Sequence, residues 1–170
     1  MPENHARRGL RADGTPAMTP AEFRATREML GLSIGWIADM AQVNPRNARK
    51  WDQGVNPVPE GIAQALDKIA RDTALYVEKV ASKRALDPDF EFKVPQPTTA
   101  KEDRELGEAW GYWSMGWWWN VGGRVLDADR KARGGVIVYV DAAEEGPSVK
   151  PPAVPEVPRP PHAQHQRAAG

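Results

Sequence analysis

Four side chains in one short window, Arg46, Asn47, Arg49 and Lys50, are the residues of this chain best suited to a definite chemistry. An arginine fork offers two parallel donors that match the major-groove edge of guanine. An asparagine amide pairs a donor and an acceptor with adenine, and either cation neutralises a phosphate. Asn44 lies just before them and joins the set as a candidate contact. No comparable set of catalytic groups is present. The three histidines, His5, His162 and His165, lie near the two ends, and there is no cysteine. Thiolate metal sites, thiol nucleophiles and disulfides are therefore excluded. The acid pair Asp127 and Asp129 fits a solvated face better than a general acid and base. The Gly122-Gly123 and Gly134-Gly135 pairs do not form a phosphate loop after a strand. The expectation is no enzyme, no cofactor and no metal.

The elements that would position these residues have legible boundaries. Thr19-Pro20-Ala21-Glu22 combines an N-cap, a proline at the first helical position and a reciprocal Glu, so a helix should begin there and stop at Gly31. Ser33 caps a second helix with Ile37, Met40 and Ala41 inward. Gln42 and Val43 alone then separate it from a third cap, Asn44, followed by Pro45. Two short helices joined so tightly cross steeply, and the later one protrudes. In that third helix, expected to end at Gly54, Ala48 and Trp51 are the anchoring positions, joined by Val43 in the turn, and the polar set faces outward. After Pro59, Ile62, Leu66, Ile69, Thr73, Tyr76 and Val80 recur at alternating spacings of four and three, which predicts one long connector helix to about Leu86.

The run LSIGWIADMAQVNPRNARKWDQG resembles the phage-repressor (Cro/cI, XRE-like) helix-turn-helix family. Leu32-Ser33 opens its second helix, Val43 sits in the turn, and Trp51-Asp52-Gln53-Gly54 matches the closing segment. Gln42 stands where that family often has glycine, and Ile34 where a polar residue often touches phosphate. The longer closure RNARKWDQGVNPVPEGI is similar to the anti-CRISPR-associated autorepressors, in which a small strand-helix-helix-strand domain pairs the subunits. The resemblance implies a transcriptional regulator that binds an inverted repeat of double-stranded DNA as a homodimer, with Asn44, Arg46, Asn47, Arg49 and Lys50 at the DNA.

Downstream, Phe90, Phe92 and Val94 alternate with charged residues as in a strand with one buried face. Residues 101–113 and 115–132 read as helices, the second interrupted by Gly122-Gly123, and VIVYV as a buried strand. The fold class expected is a mainly α helix-turn-helix bundle of about five helices over residues 18–86, then a small α+β domain over residues 87–146. Five indoles fall within ten positions, at Trp110, Trp113, Trp117, Trp118 and Trp119. A domain that small should not bury them all, so together with Tyr76 and Val80 they are expected at a dimer interface.

The chain of 170 residues has a formal net charge of +0. Its distribution is uneven. Residues 18–86 carry 10 Lys/Arg against 8 Asp/Glu, a balance of +2, and residues 87–146 carry 7 against 12, a balance of −5. That suits a head meeting phosphate and a body kept away from it. Residues 1–17 read as a disordered basic arm, with Met18 a candidate start. Residues 147–170, with seven prolines in 24 positions, read as an extended disordered tail that could meet a protein partner. No secretory or membrane-spanning segment is legible, so a cytoplasmic location is expected. The competing expectation is a DNA-binding antitoxin or a phage DNA-packaging small subunit, whose main task is recruiting a protein.

Overall fold

A computed structural model describes residues 17–96, 106–129 and 136–157. The basic arm through residue 16, the segment 97–105, residues 130–135 and the end of the Pro-rich tail lie outside the described residues. The described chain is mainly helical, with five α-helices and a small parallel sheet of two strands; four of the helices, not about five, fall within residues 18–86. None of its helices is long and apolar enough to cross a membrane.

Helix α1, Pro20–Met29, starts on the capping box that its sequence announces: Thr19 and Glu22 exchange side-chain-to-backbone hydrogen bonds. It ends at Gly31, whose φ of 69° lies in the left-handed region. Helix α2, Ile34–Ala41, is capped by Ser33, and helix α3, Pro45–Asp52, by Asn44. Gln42 ends α2 with φ 53°, a conformation that glycine adopts at no steric cost. The inward residues of α2 are Trp36, Ile37 and Ala38, whereas Met40 and Ala41, expected inside, are only half-buried.

Helix α4, Glu60–Leu86, carries the predicted stripe intact: Ile62, Leu66, Ile69, Thr73, Tyr76 and Val80 are all buried. Strand β1, Phe92–Pro95, pairs in parallel with β2, Ile137–Val140, in the register Phe92 to Ile137 and Val94 to Tyr139. The parallel arrangement needs a crossover, and helix α5, Met115–Ala128, lies between the strands in sequence and packs on β1.

Several expectations are corrected. Within 106–113 there is no α-helix but a single 3-10 turn, Glu108–Trp110. Gly107, Gly111 and Tyr112 all have positive φ, which an α-helix cannot accommodate. Helix α5 is not interrupted at its glycine pair. Gly122 instead lets it approach the sheet, where an added Cβ would stand 3.1 Å from Ile137 Cδ1. The second strand is not a buried one: two strands give it little cover, and Tyr139 is 65% exposed.

The larger correction concerns the core. One continuous apolar cluster runs from Phe23 and Ile37 of the first block through Tyr76 to Phe92, Trp118 and Val140 of the second. Residues 147–157 are part of the same structure and not a free tail. Val149 is buried, Val154 and Val157 pack against the cluster, and backbone oxygens of this strap accept two hydrogen bonds. Tyr76 donates to the Val149 carbonyl at 2.6 Å and Trp113 Nε1 to that of Pro152 at 2.8 Å.

Candidate nucleic-acid interface

The phase of α3 decides which of its side chains meet solvent. At about 100° per residue, Ala48 and Trp51 define one side. Both are buried, at 0% and 7% exposure. The opposite side is centred on Arg46, with Arg49 and Lys50 beside it and Asn47 toward one flank. All four are exposed. The outward arc also includes Gln53, an exposed residue that the sequence treated only as part of the closing segment. Among the described residues, Arg46, Arg49 and Lys50 enter no ion pair, whereas Arg24, Arg27, Lys68, Arg84 and Lys93 all do. Arg49 and Lys50 also lie in the last turn of α3, where cations complement the helix dipole. Asn44 is exposed, but its Oδ1 accepts the Arg46 N–H at 2.9 Å, so that oxygen acts as the cap of the helix.

The anchoring side is held firmly. Trp51 meets Phe23 of α1 edge-on, with centroids 6.4 Å apart. Val43 is half-buried in the turn, and its N–H bonds to the Ala38 carbonyl at 3.0 Å. Arg27 of α1 reaches across to Asp52 at the end of α3, and this tie was not foreseen from the sequence. An Arg and an Asp separated by 25 positions leave no local spacing signal. The outcome is a short helix fixed on its apolar side and free on its basic side, able to offer forked donors, an amide and a point charge to one surface.

The body behind this head is aromatic. Trp110, Trp113, Trp117, Trp118 and Val80 are buried to 1% exposure or less within the single chain, and Tyr76 is buried at 4%. These six residues, expected at a dimer interface, are therefore not available to a second subunit. Residues 87–146 by themselves offer these side chains too little cover. The walls in fact come from elsewhere: Trp36 of α2 stacks on Trp113 at 5.3 Å, Tyr76 of α4 stacks on Trp117 at 5.7 Å, and the strap closes over Trp113. Buried indoles need acceptors for their N–H groups, and three of the four find one: the Ala142 carbonyl, the Pro152 carbonyl and the Thr73 hydroxyl. Trp118 has no oxygen partner among the described residues, and the rings of Trp110, Trp117 and Tyr76 stand nearly perpendicular to it. Trp119 alone of the expected interface keeps an exposed face. It borders a groove with Leu126 and Tyr139, which are also exposed. Burial of the Tyr76 hydroxyl pushes its pKa well above the usual phenol value.

Among the described residues no group of three His, Cys, Asp or Glu side chains could hold a metal, and the histidines lie outside those residues. Compared with known proteins, the chain matches no family model and no curated protein.

Proposed function

We propose that this protein is a sequence-specific double-stranded DNA-binding transcriptional regulator of the phage-repressor helix-turn-helix type, and that α3 is its recognition helix. The observation that carries this reading is the division of α3. Ala48 and Trp51 are locked into the core, while Arg46, Arg49 and Lys50 stand exposed with no ion-pair partner among the described residues, beside the exposed Asn47. A helix held only on its apolar side can enter a major groove, where its N-terminal residues meet base edges. The short α2–α3 connection and the resemblance of the sequence between Leu32 and Gly54 support the same reading.

One such helix reaches few base pairs, so useful specificity calls for two heads on an inverted repeat. In this proposal the protein works as a homodimer. Its candidate pairing surface is the exposed apolar groove of Trp119, Leu126 and Tyr139, not the buried indoles.

The test is selection of bound fragments from a random double-stranded library by the full chain. Enrichment of a two-fold symmetric sequence is expected, with half-sites about one helical turn apart or a multiple of it. Recovery of unenriched DNA, or of none, at low and moderate salt alike would reject the reading.

A further inference from the structure

A cavity of about 250 Å³ lies where α2, the 3-10 turn region and the C-terminal strap meet, with no residue of α3 in its lining. Trp36, Asp39 and Met40 of α2, Tyr112 and Trp113 of the body and Val154 of the strap line it. Its chemistry is one-sided. The two indoles are stacked at 12°, and both of their N–H groups are already given away, Trp36 to the Tyr112 carbonyl at 3.0 Å and Trp113 to the Pro152 carbonyl. What these walls still offer is electron-rich: aromatic rings, the Met40 thioether and the Asp39 carboxylate. Asp39 is exposed at the rim and has no ion pair or side-chain hydrogen bond among the described residues. The Tyr112 hydroxyl is the one donor left among these side chains.

Tyr112 adds a second observation. Its backbone takes φ 60°, a left-handed conformation unfavourable for a bulky residue, and its side chain is 64% exposed. Backbone strain of this kind persists where the surroundings enforce it and tends to gather at binding sites. Here the conformation delivers the carbonyl to Trp36 and leaves an aromatic ring in the wall of the cavity.

A carboxylate with no partner among the described residues, set among aromatic rings, recognises an organic cation: the charge meets the carboxylate and a ring face, and the apolar body lies against the remaining rings. The geometry points to this cavity as the binding site for a small organic ammonium ion. The ammonium group sits between Asp39 and Tyr112, and the hydrocarbon part against Trp36, Trp113 and Met40. The volume falls just short of the roughly 300 Å³ at which pockets for drug-sized ligands begin, which suits a compact amine. Asp39 and Met40 belong to the last turn of α2, immediately before the connection to α3, so an occupant touches both the head and the body. The site does not depend on what α3 binds.

The experiment titrates the full chain with phenethylammonium chloride, following heat and the indole N–H resonances of Trp36 and Trp113. Phenethyl alcohol and hydrocinnamate serve as neutral and anionic counterparts of similar size. Saturable binding of the ammonium ion is expected, with shifts at those two indoles and much weaker binding of the other two compounds. Asp39→Asn, an exposed change that leaves the circular dichroism intact, should weaken it roughly tenfold or more, the scale of one charge-assisted contact. Val154→Phe, which fills the cavity from the strap side, should abolish the shifts. Three results would each overturn the assignment: no saturable shift at Trp36 or Trp113, equal binding of all three compounds, or unchanged affinity in Asp39→Asn.

Discussion

Arg27 of α1 and Asp52, the last residue of α3, meet through a forked contact: Nε at 3.0 Å and Nη2 at 2.9 Å from the same carboxylate oxygen. The remaining nitrogen, Nη1, donates to the Leu32 carbonyl at 2.8 Å. One guanidinium thus ties together the end of α1, the approach to α2 and the end of α3. Both side chains are about a tenth exposed, at 11% and 12%, so neither charge is well hydrated without the other. Arg27→Met should cost about 3 kcal/mol of stability, because it strands a nearly buried carboxylate. Arg27→Lys should recover only part, since an ammonium cannot fork. Urea denaturation of the two variants measures this, and a midpoint unchanged in Arg27→Met would mean that packing alone fixes α3.

The joint between head and body is a close approach of backbones. The turn ending α1 and the first turn of α5 touch at Gly31 and Gly116, where a Cβ on either residue would collide with the other's carbonyl. Ser114 Oγ donates to the Gly31 carbonyl, and Asn120 donates to that of Met29. Gly116→Ala should therefore destabilise the fold by about 2 kcal/mol or more, the scale of overpacking against backbone that cannot yield. Gly123 is the control in the same helix, because an added Cβ there meets nothing within 4 Å. Gly123→Ala should stabilise by up to about 1 kcal/mol through helix propensity. Thermal melts of both variants read the contrast, and the same sign for the two would refute it.

What was legible in the sequence was local. Thr19, Ser33 and Asn44 signal helix starts through partners two or three residues away, and the α4 stripe repeats within a turn. The exposure of Arg46 and the burial of Trp51 then follow from helical phase. What was not legible depends on partners distant in sequence. Trp113 is covered by Trp36 and Pro152, from opposite ends of the described chain, and no window around the indoles contains either. The strap makes the same point. Its prolines do announce an extended conformation, but composition cannot tell whether extended carbonyls face water or a buried phenol. The 3-10 turn was missed because Tyr112 adopts a positive φ that its residue type disfavours.

Tyr76 makes the stability of the strap depend on pH. Its hydroxyl is buried and donates to the Val149 carbonyl, so the folded state favours the protonated phenol and raises its pKa above the ordinary value of 10.0. A group whose folded pKa is raised contributes stability that is complete below the unfolded pKa and is lost as pH rises toward the folded one. Above about pH 10 this residue should therefore remove stability at up to about 1.4 kcal/mol per pH unit. Tyr76→Phe should lower stability at neutral pH by about 1 kcal/mol, for one hydrogen bond with an unsatisfied carbonyl, and should flatten the alkaline slope. Urea midpoints between neutral pH and pH 11 for both proteins give the comparison. A slope identical in Tyr76→Phe would assign the alkaline loss to other groups.

Arg46 and Lys50 share the outward face of α3, yet the proposed function assigns them different chemistry, and that difference is measurable. Arg46 lies in the first turn, where a recognition helix meets base edges, and Lys50 lies a turn later among the cations at the helix C-terminus. Replacing a base-reading arginine removes a bidentate contact. Arg46→Ala should weaken binding to the selected sequence by about 1–3 kcal/mol and relax the preference at one base position. Replacing a phosphate-neutralising lysine acts on every sequence alike. Lys50→Ala should lower affinity for specific and random DNA together and reduce the slope of log affinity against log salt by about one unit. Binding isotherms at several salt concentrations, on the selected sequence and on a scrambled one, separate the two behaviours. Both side chains are exposed, so neither substitution should disturb the fold, and a loss of affinity can be read at the interface. Indistinguishable profiles for the two variants would mean that α3 meets DNA only as a patch of charge, which would leave specificity to another surface.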